Sequence, residues 1–368
     1  MRILLLARYS RRGASSRIRC YQYLDFLQNA GIEVTEAPLL DDRYLERLYA
    51  GHPPRLTSLV AAYWRRIAAL RRRRRFDLIW TQYELLPWLP DVVEAGLAGS
   101  ATPIVVDYDD AQFHRYDQHA NPIVRRILGR KLDRVMRRAA VVVVGNRYLA
   151  ERAVAAGARD VRVLPSAVDL ARYGQVEVPS RRDVFTIGWI GSPTTAPYLR
   201  AVSGALQEVA DRIPTRIVLV GAGPVALPGL RVELRPWSEA TEVAELRTFD
   251  VGIMPLTDGT WERGKCGFKL IQYMAVGRPV VASPVGFNTE LVQPGQTGLL
   301  AASRDEWREA LLSLAASPGA ATCMGLAGRT LVEAEYSTQA VAPRLIEALA
   351  AAGSRRHRRP ETPESQRR

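Results

Sequence analysis

Short apolar runs recur along the chain, separated by longer stretches in which apolar residues return every three or four positions. RILLLA (2–7), TPIVVDYD (102–109) and AVVVVG (140–145) are nearly continuous, whereas IEVTEA (32–37), DLIWTQ (77–82) and DVRVLP (160–165) are mixed. Runs of this length bounded by turn residues read as strands, the most apolar ones buried on both faces. The stretches between them carry helical periodicity; that from Ser16 to Ala30 is closed by Gly31, a residue suited to the left-handed end of a helix. Strands alternating with helices predict a parallel, doubly wound sheet. The pattern lapses through LARYGQVEVPSRRDV (170–184) and restarts with FTIGWIGS (185–192), RIVLVGAG (216–223), DVGIMPL (250–256) and PVVAS (279–283).

The chain is therefore expected to be α/β, with a first Rossmann-like domain over 1–170, a linker over 171–183 and a second Rossmann-like domain over 184–336. A closing helix over 337–352 that packs back toward the first domain, and a disordered basic tail over 353–368, complete the expectation. Open parallel sheets bind ligands beyond the carboxyl ends of their strands, so two of them predict a site in a cleft where those ends face each other.

Composition changes this picture in two places. With 368 residues, 47% of them hydrophobic, the chain is long enough for two cores. Its start, MRILLLARYSRRG, has too short an apolar core for a signal peptide, and no apolar run reaches membrane-spanning length, so a cytoplasmic location is expected. Cys20, Cys266 and Cys323 are odd in number and far apart, which fits reduced thiols and gives no metal-ligand spacing. The net charge of +13 is concentrated in arginine clusters at 64–77, at 124–138 and in the tail. Such clusters suit anionic lipid, nucleic acid or acidic substrates. The second cluster also holds Ile127, Leu128, Val135 and Met136; it fits a helix lying on a membrane surface, or an ordinary helix with its apolar stripe toward the core.

Lysine is almost absent: of 51 Lys plus Arg only Lys131, Lys265 and Lys269 are lysine. Two of the three fall in RGKCGFKLIQYMAVGRPVVASPVG (263–286). A helix starting near Cys266 to Phe268 places Lys265, Lys269 and Gln272 near one side, with Leu270, Tyr273 and Met274 directed mainly to the core. A helix start already presents unpaired N–H groups and a positive dipole, and a compact ammonium suits a phosphate oxygen. The segment is thus a candidate anion site; the same lysines would also serve as decoration of an exposed helix start.

FKLIQYMAVGRPVVASPVG resembles the nucleotide-sugar-binding segment of GT-B glycosyltransferases, in particular the retaining family four (group 1), whose usual form is EGFGLPxLEAMAxGxPVVxS. The likeness continues in order through GASSRIR (13–19), VVDYDDAQF (105–113), VLPSAVDLARY (163–173), PGQTGLL (294–300) and YSTQAVAPRLIEAL (336–349). It implies a GT-B fold and transfer of a sugar from a nucleotide diphosphate sugar to a glycan or lipid-linked acceptor, with retention and without a metal or other cofactor. Of the family's paired glutamates, the first falls on Gly264 and the second on Gln272, and GWIGSPTTAPYL (188–199) lacks the usual Arg and Lys. The chain thus resembles a divergent subgroup in which Lys265 and Lys269 supply the missing cations and Gln272 bonds the ribose.

Within that resemblance, the donor-binding set is Lys265, Lys269, Leu270 and Gln272, with Gly188, Gly191 and Ser192 letting backbone approach the phosphates and Trp237 opening the base-contacting loop. Gly13 opens a similar loop in the first domain, with Arg17 and Arg19 beyond it either functional or on an exposed helix face. Asp109 and Asp110 follow a buried strand and fall where the family has His-Asp, so either carboxylate would orient an acceptor hydroxyl; a helix cap or an arginine pair is the alternative. His114 reads as a loop residue and Cys266 as a packed neighbour. An epimerase on the same scaffold and a non-catalytic nucleic-acid binder remain open, although aromatic residues are not interleaved with the arginines as base stacking wants, and no specific nucleic-acid partner is expected.

Overall fold

The computed structural model describes residues 1–99, 101–176 and 183–357. The chain forms two compact units, Met1–Pro165 joined by the chain from Ala342 onward, and Ser166–Val341. Each is built on one six-stranded sheet whose neighbouring strands all run parallel. No single helix among the described residues is long and apolar enough to cross a membrane.

The first sheet comprises β1 (Arg2–Leu6), β2 (Glu33–Glu36), β3 (Leu78–Gln82), β4 (Ile104–Tyr108), β5 (Val141–Val144) and β6 (Val161–Val163), in the order β2-β1-β3-β4-β5-β6. The second comprises β7 (Phe185–Ile190), β8 (Thr215–Val220), β9 (Glu233–Arg235), β10 (Val251–Met254), β11 (Val280–Ala282) and β12 (Gly298–Leu300), in the order β12-β11-β10-β7-β8-β9. The apolar run of β5 is buried throughout, and so is the mixed strand β3, because helices cover both faces of a parallel sheet. Strand order reverses between β1 and β3 in the first sheet and between β7 and β10 in the second. Loops leaving the two strands at such a point splay to opposite faces and open a crevice, which makes these the two positions where a ligand is expected.

Several expectations need correction. The helix expected from Ser16 to Ala30 is broken into Ala14–Arg19, a 3-10 turn Tyr21–Tyr23 and Leu24–Asn29. The break places Arg19, Tyr21 and Tyr23 in the interior, where Arg19 pairs with Asp107 and the Tyr21 hydroxyl donates to the Tyr9 carbonyl. The final helix runs Thr338–His357, so 353–357 are helical rather than tail; 358–368 lie outside the described residues, as does 177–182 of the expected linker. Gly188 does not approach a ligand: it sits inside β7, where a Cβ would fall 2.0 Å from the Phe249 ring, so glycine is required there by packing.

In the basic cluster at 124–138 the apolar stripe and Lys131 face the interior, while the arginines lie at the surface. Leu128, Leu132, Val135 and Met136 are buried in the first unit. Arg134 and Arg138 each pair with Asp91 at 2.8 and 2.9 Å, and Arg137 donates to the Ala156 carbonyl. Lys131 is fully buried, its ammonium 2.6 Å from Glu84, 2.7 Å from Glu94 and 2.6 Å from the Leu86 carbonyl. Tyr116 donates to Glu84 at 2.8 Å, and Arg8 stands 3.5 Å from it. Two cations and two carboxylates thus balance inside the unit. An ammonium, with three donors in a tetrahedral fan, meets three converging acceptors that a planar guanidinium would not match.

Candidate active site

The second switch point is assembled from the loop after β7, the loop after β8 and the start of the helix Phe268–Ala275. The backbone enters that helix through Gly267 in the left-handed conformation (φ 61°), and no side chain caps the end. Glycine is required at 267 twice over, since a Cβ would also lie 2.7 Å from Phe287. Phe287 and Gly286 belong to the SPVG loop after β11, where a Cβ on Gly286 would fall 2.7 Å from the Arg263 carbonyl. Gly286 and Phe287 therefore brace the helix start from behind.

Lys269 leaves the first turn of this helix and crosses the Trp189 ring, its ammonium 4.9 Å from the ring centroid and 3.2 Å from the Thr195 hydroxyl. Gly191 lies between them: a Cβ there would be 2.5 Å from the indole and 2.7 Å from Cε of Lys269. Thr195 is the hub of the loop, accepting from the Ser192 N–H at 3.2 Å and donating to the Ser192 carbonyl at 3.1 Å, while the Ser192 and Thr194 hydroxyls share a bond of 2.8 Å. A cation, three hydroxyls and a helix N-terminus thus stand around one point at the carboxyl end of β7. That combination can hold a phosphate group. Lys265 lies in the loop just before the helix, with its ammonium 5.9 Å from the Trp261 centroid.

Trp237 joins the same neighbourhood. Gly221 (φ 75°), the first residue after β8, has Gly191 on one side and Trp237 on the other: a Cβ would meet the Gly191 carbonyl at 2.4 Å and Cβ of Trp237 at 2.9 Å. The Trp237 indole is 36% exposed and donates to Glu242 at 2.8 Å. Glu242 is buried and also accepts from Tyr173 at 3.3 Å, whose hydroxyl in turn accepts from the Gln272 amide at 3.3 Å. Burial, and then the Glu242 carboxylate, push the Tyr173 phenol well above its ordinary value, so it remains a donor. Gln272 is itself buried at 4% exposure, and its amide nitrogen is turned to this relay. Glu242 and Tyr173 were not singled out in the sequence; nothing local marks them, since they meet Gln272 only through the fold. Leu270 drops out of the donor-binding set: its side chain is fully buried in the core and its N–H bonds the Gly267 carbonyl at 2.9 Å. Cys266 is buried beside the Gly264 carbonyl.

The first unit presents a second constellation at its own switch point. Gly13 packs against Tyr9, where a Cβ would fall 2.3 Å from the tyrosine Cβ. Arg19 is not on an exposed helix face: it is buried, bidentate to Asp107 at 2.8 and 3.0 Å, and donates to the Leu164 carbonyl. Asp109 and Asp110 follow β4, both half-buried, and Asp109 accepts a bond from the Tyr83 hydroxyl. Tyr83 carries φ 59°, a left-handed conformation that costs a non-glycine residue on the order of 1–3 kcal/mol and tends to mark functional sites. Burial first, then Asp109, raises the Tyr83 phenol well above its ordinary value, so it stays protonated and faces the carboxylate as a donor. His114 is held between Asp117 and Tyr148, at 2.8 Å from each. Among the described residues no group of three or more His, Cys, Asp or Glu is placed to hold a metal ion.

Residues 184–317, which contain the whole phosphate-type site, match the family model of glycosyl transferases group 1. Residues 184–317 are a glycosyltransferase domain. The complete fold is also that of known glycosyltransferases. The chain superposes on sucrose-phosphate synthase from Thermosynechococcus elongatus with a TM-score of 0.71, 17% identity and coverage of 95% of this chain and 98% of the other. It superposes on Anabaena HepE in complex with UDP-glucose with a TM-score of 0.69, 16% identity and coverage of 95% and 100%. These likenesses establish the fold as GT-B. A search of curated proteins finds no significant match.

Proposed function

We propose that this glycosyltransferase moves a sugar from a nucleotide diphosphate sugar, with retention as in family four, to a hydroxyl of a glycan or lipid-linked acceptor in polysaccharide formation, working in the cytoplasm in peripheral contact with the membrane. The observation that carries the reading is the ammonium of Lys269 held over Trp189 beside the Gly191–Thr195 loop, at the switch point of the domain matched by the group 1 model. Breaking the bond between sugar and phosphate leaves negative charge on the departing diphosphate. Fixed cations and helix N–H groups that meet this charge act where it develops, which is usually a large part of such catalysis. Lys269 and Lys265 fill that role without a metal ion, Trp237 supplies a face for the base, and Gln272, at the place of the second glutamate in the family motif, is buried and bonded to Tyr173.

On the acceptor side, Asp109 and Asp110 orient and partly deprotonate the attacking hydroxyl, with Tyr83 fixing Asp109. HepE has been solved with UDP and with UDP-glucose, which makes UDP the first base to try. The test is a panel of UDP-, GDP-, ADP-, CDP- and dTDP-sugars incubated with the purified protein, following release of nucleotide diphosphate. Slow hydrolysis selective for one base, quickened by short glycan acceptors, is the expected result. No release from any donor, together with no thermal stabilisation by any nucleotide diphosphate, would remove the reading.

A further inference from the structure

The helix Leu56–Arg71 has two unlike faces. Ala62, Arg66 and Leu70 are buried against the first sheet, where Arg66 bonds the Leu6 and Ala7 carbonyls at 3.2 and 2.7 Å. On the other face Leu56, Val60 and Trp64 are 75%, 49% and 62% exposed. At about 100° per residue these three fall within an arc of about 80°, along about 12 Å of helix, and Arg71 projects within the same arc. Arg55, Arg65, Arg71, Arg72, Arg74 and Arg75 are all exposed, and no carboxylate occurs between residues 53 and 76. Arg65 approaches Asp41 at 3.5 Å, a pair half-exposed on both sides and therefore weak.

An exposed leucine alone needs no explanation, but a row of one aliphatic residue per turn ending in tryptophan and followed by a run of arginines does. We propose that this face docks on an anionic lipid bilayer, with Leu56, Val60 and Trp64 inserted at the level of the headgroups and the arginines at 71–75 held by lipid phosphates. The inference rests on the membrane-contact part of the proposed function and names the surface that makes it. It also moves that contact away from the cluster at 124–138, whose lysine is buried and two of whose arginines are paired with Asp91. A second copy of the chain is the wrong occupant, because the arginines at 71–75 that follow the apolar row would meet their own like charges. Nucleic acid is disfavoured because the row offers a single ring for stacking beside two aliphatic side chains.

The test is sedimentation with vesicles of phosphatidylglycerol and phosphatidylcholine, against vesicles of phosphatidylcholine alone. The full chain is compared with Leu56→Ser/Val60→Ser/Trp64→Ser and with Arg71→Gln/Arg72→Gln/Arg74→Gln/Arg75→Gln. Because these side chains are exposed or at the helix end, melting temperatures should stay near that of the parent. The parent is expected to sediment with the anionic vesicles at least tenfold more tightly than with the neutral ones, and each variant to lose at least tenfold. Absence of parent binding to the anionic vesicles, or variants that bind as the parent does, overturns the proposal. So does a duplex DNA that binds the parent more tightly than the vesicles do, or a parent dimer that the serine variant dissociates. Nucleotide binding measured on the same proteins reports on the transferase site separately, so that either reading can fail without the other.

Discussion

Replacing Lys131 by methionine is expected to destabilise the protein by about 3–5 kcal/mol, because it leaves Glu84 and Glu94 buried without their shared cation. For a unit of this size, that lowers the melting temperature by roughly 10 °C. Burial already holds the Glu94 carboxyl above its ordinary value, with Lys131 pulling it back, so its loss would drive Glu94 to take up a proton. Lys131→Arg should not rescue the protein. The guanidinium is too broad for a fully enclosed position with acceptors at 2.6, 2.7 and 2.6 Å, and it spreads its donors in a plane. Thermal melts of both variants check this. If Lys131→Arg melts with the parent, the tetrahedral argument for lysine at this position is wrong.

Lys265→Ala/Lys269→Ala is expected to act on chemistry rather than on folding. Both side chains are half-exposed, so the melting temperature should change by only a few degrees. Donor cleavage should fall by about 10²–10³-fold or more, the usual cost of removing a group that meets charge in the transition state. Lys269→Arg should recover little: Cε of Lys269 already passes 2.7 Å from where a Cβ of Gly191 would be, so the channel over Trp189 has no room for a planar group. Steady-state rates with the selected donor, measured beside the melts, separate this outcome from misfolding. A double variant that turns over normally would remove the lysines from the mechanism.

Much of the fold is legible in the sequence because a strand buried on both faces is mostly apolar, and the runs in β1, β4, β5 and β7 announce themselves that way even though Asp107 and Thr186 are buried within them. The short strands β9 and β12 do not. Each is three residues long and lies at an edge of the sheet, where one side is unpaired and polar residues such as Glu233 and Arg235 are tolerated. The scarcity of lysine pointed to Lys265 and Lys269, and the structure seats Lys269 at a switch point against Trp189 and Thr195. It could not show why Lys131 is lysine, because the partners of that residue, Glu84 and Glu94, lie far away in the chain. Gln272 gives the same lesson in reverse. Helical spacing grouped it with the lysines, yet its amide bonds Tyr173, 99 residues earlier, through which it reaches Glu242 and Trp237. A glutamate at 272 would point a second carboxylate at the Tyr173 hydroxyl, which Glu242 already engages, so the relay favours the amide.

The central claim is that the end of β7, the Gly191–Thr195 loop and the two lysines bind a nucleotide through its diphosphate. Calorimetric titration of the full chain with UDP, UMP and uridine tests it most directly, alongside the same titrations of Lys265→Ala/Lys269→Ala. The account predicts that affinity falls at least tenfold with each phosphate removed, and that the double variant no longer distinguishes UDP from UMP. Equal affinities for the three ligands, or an undiminished preference for UDP in the double variant, would contradict it.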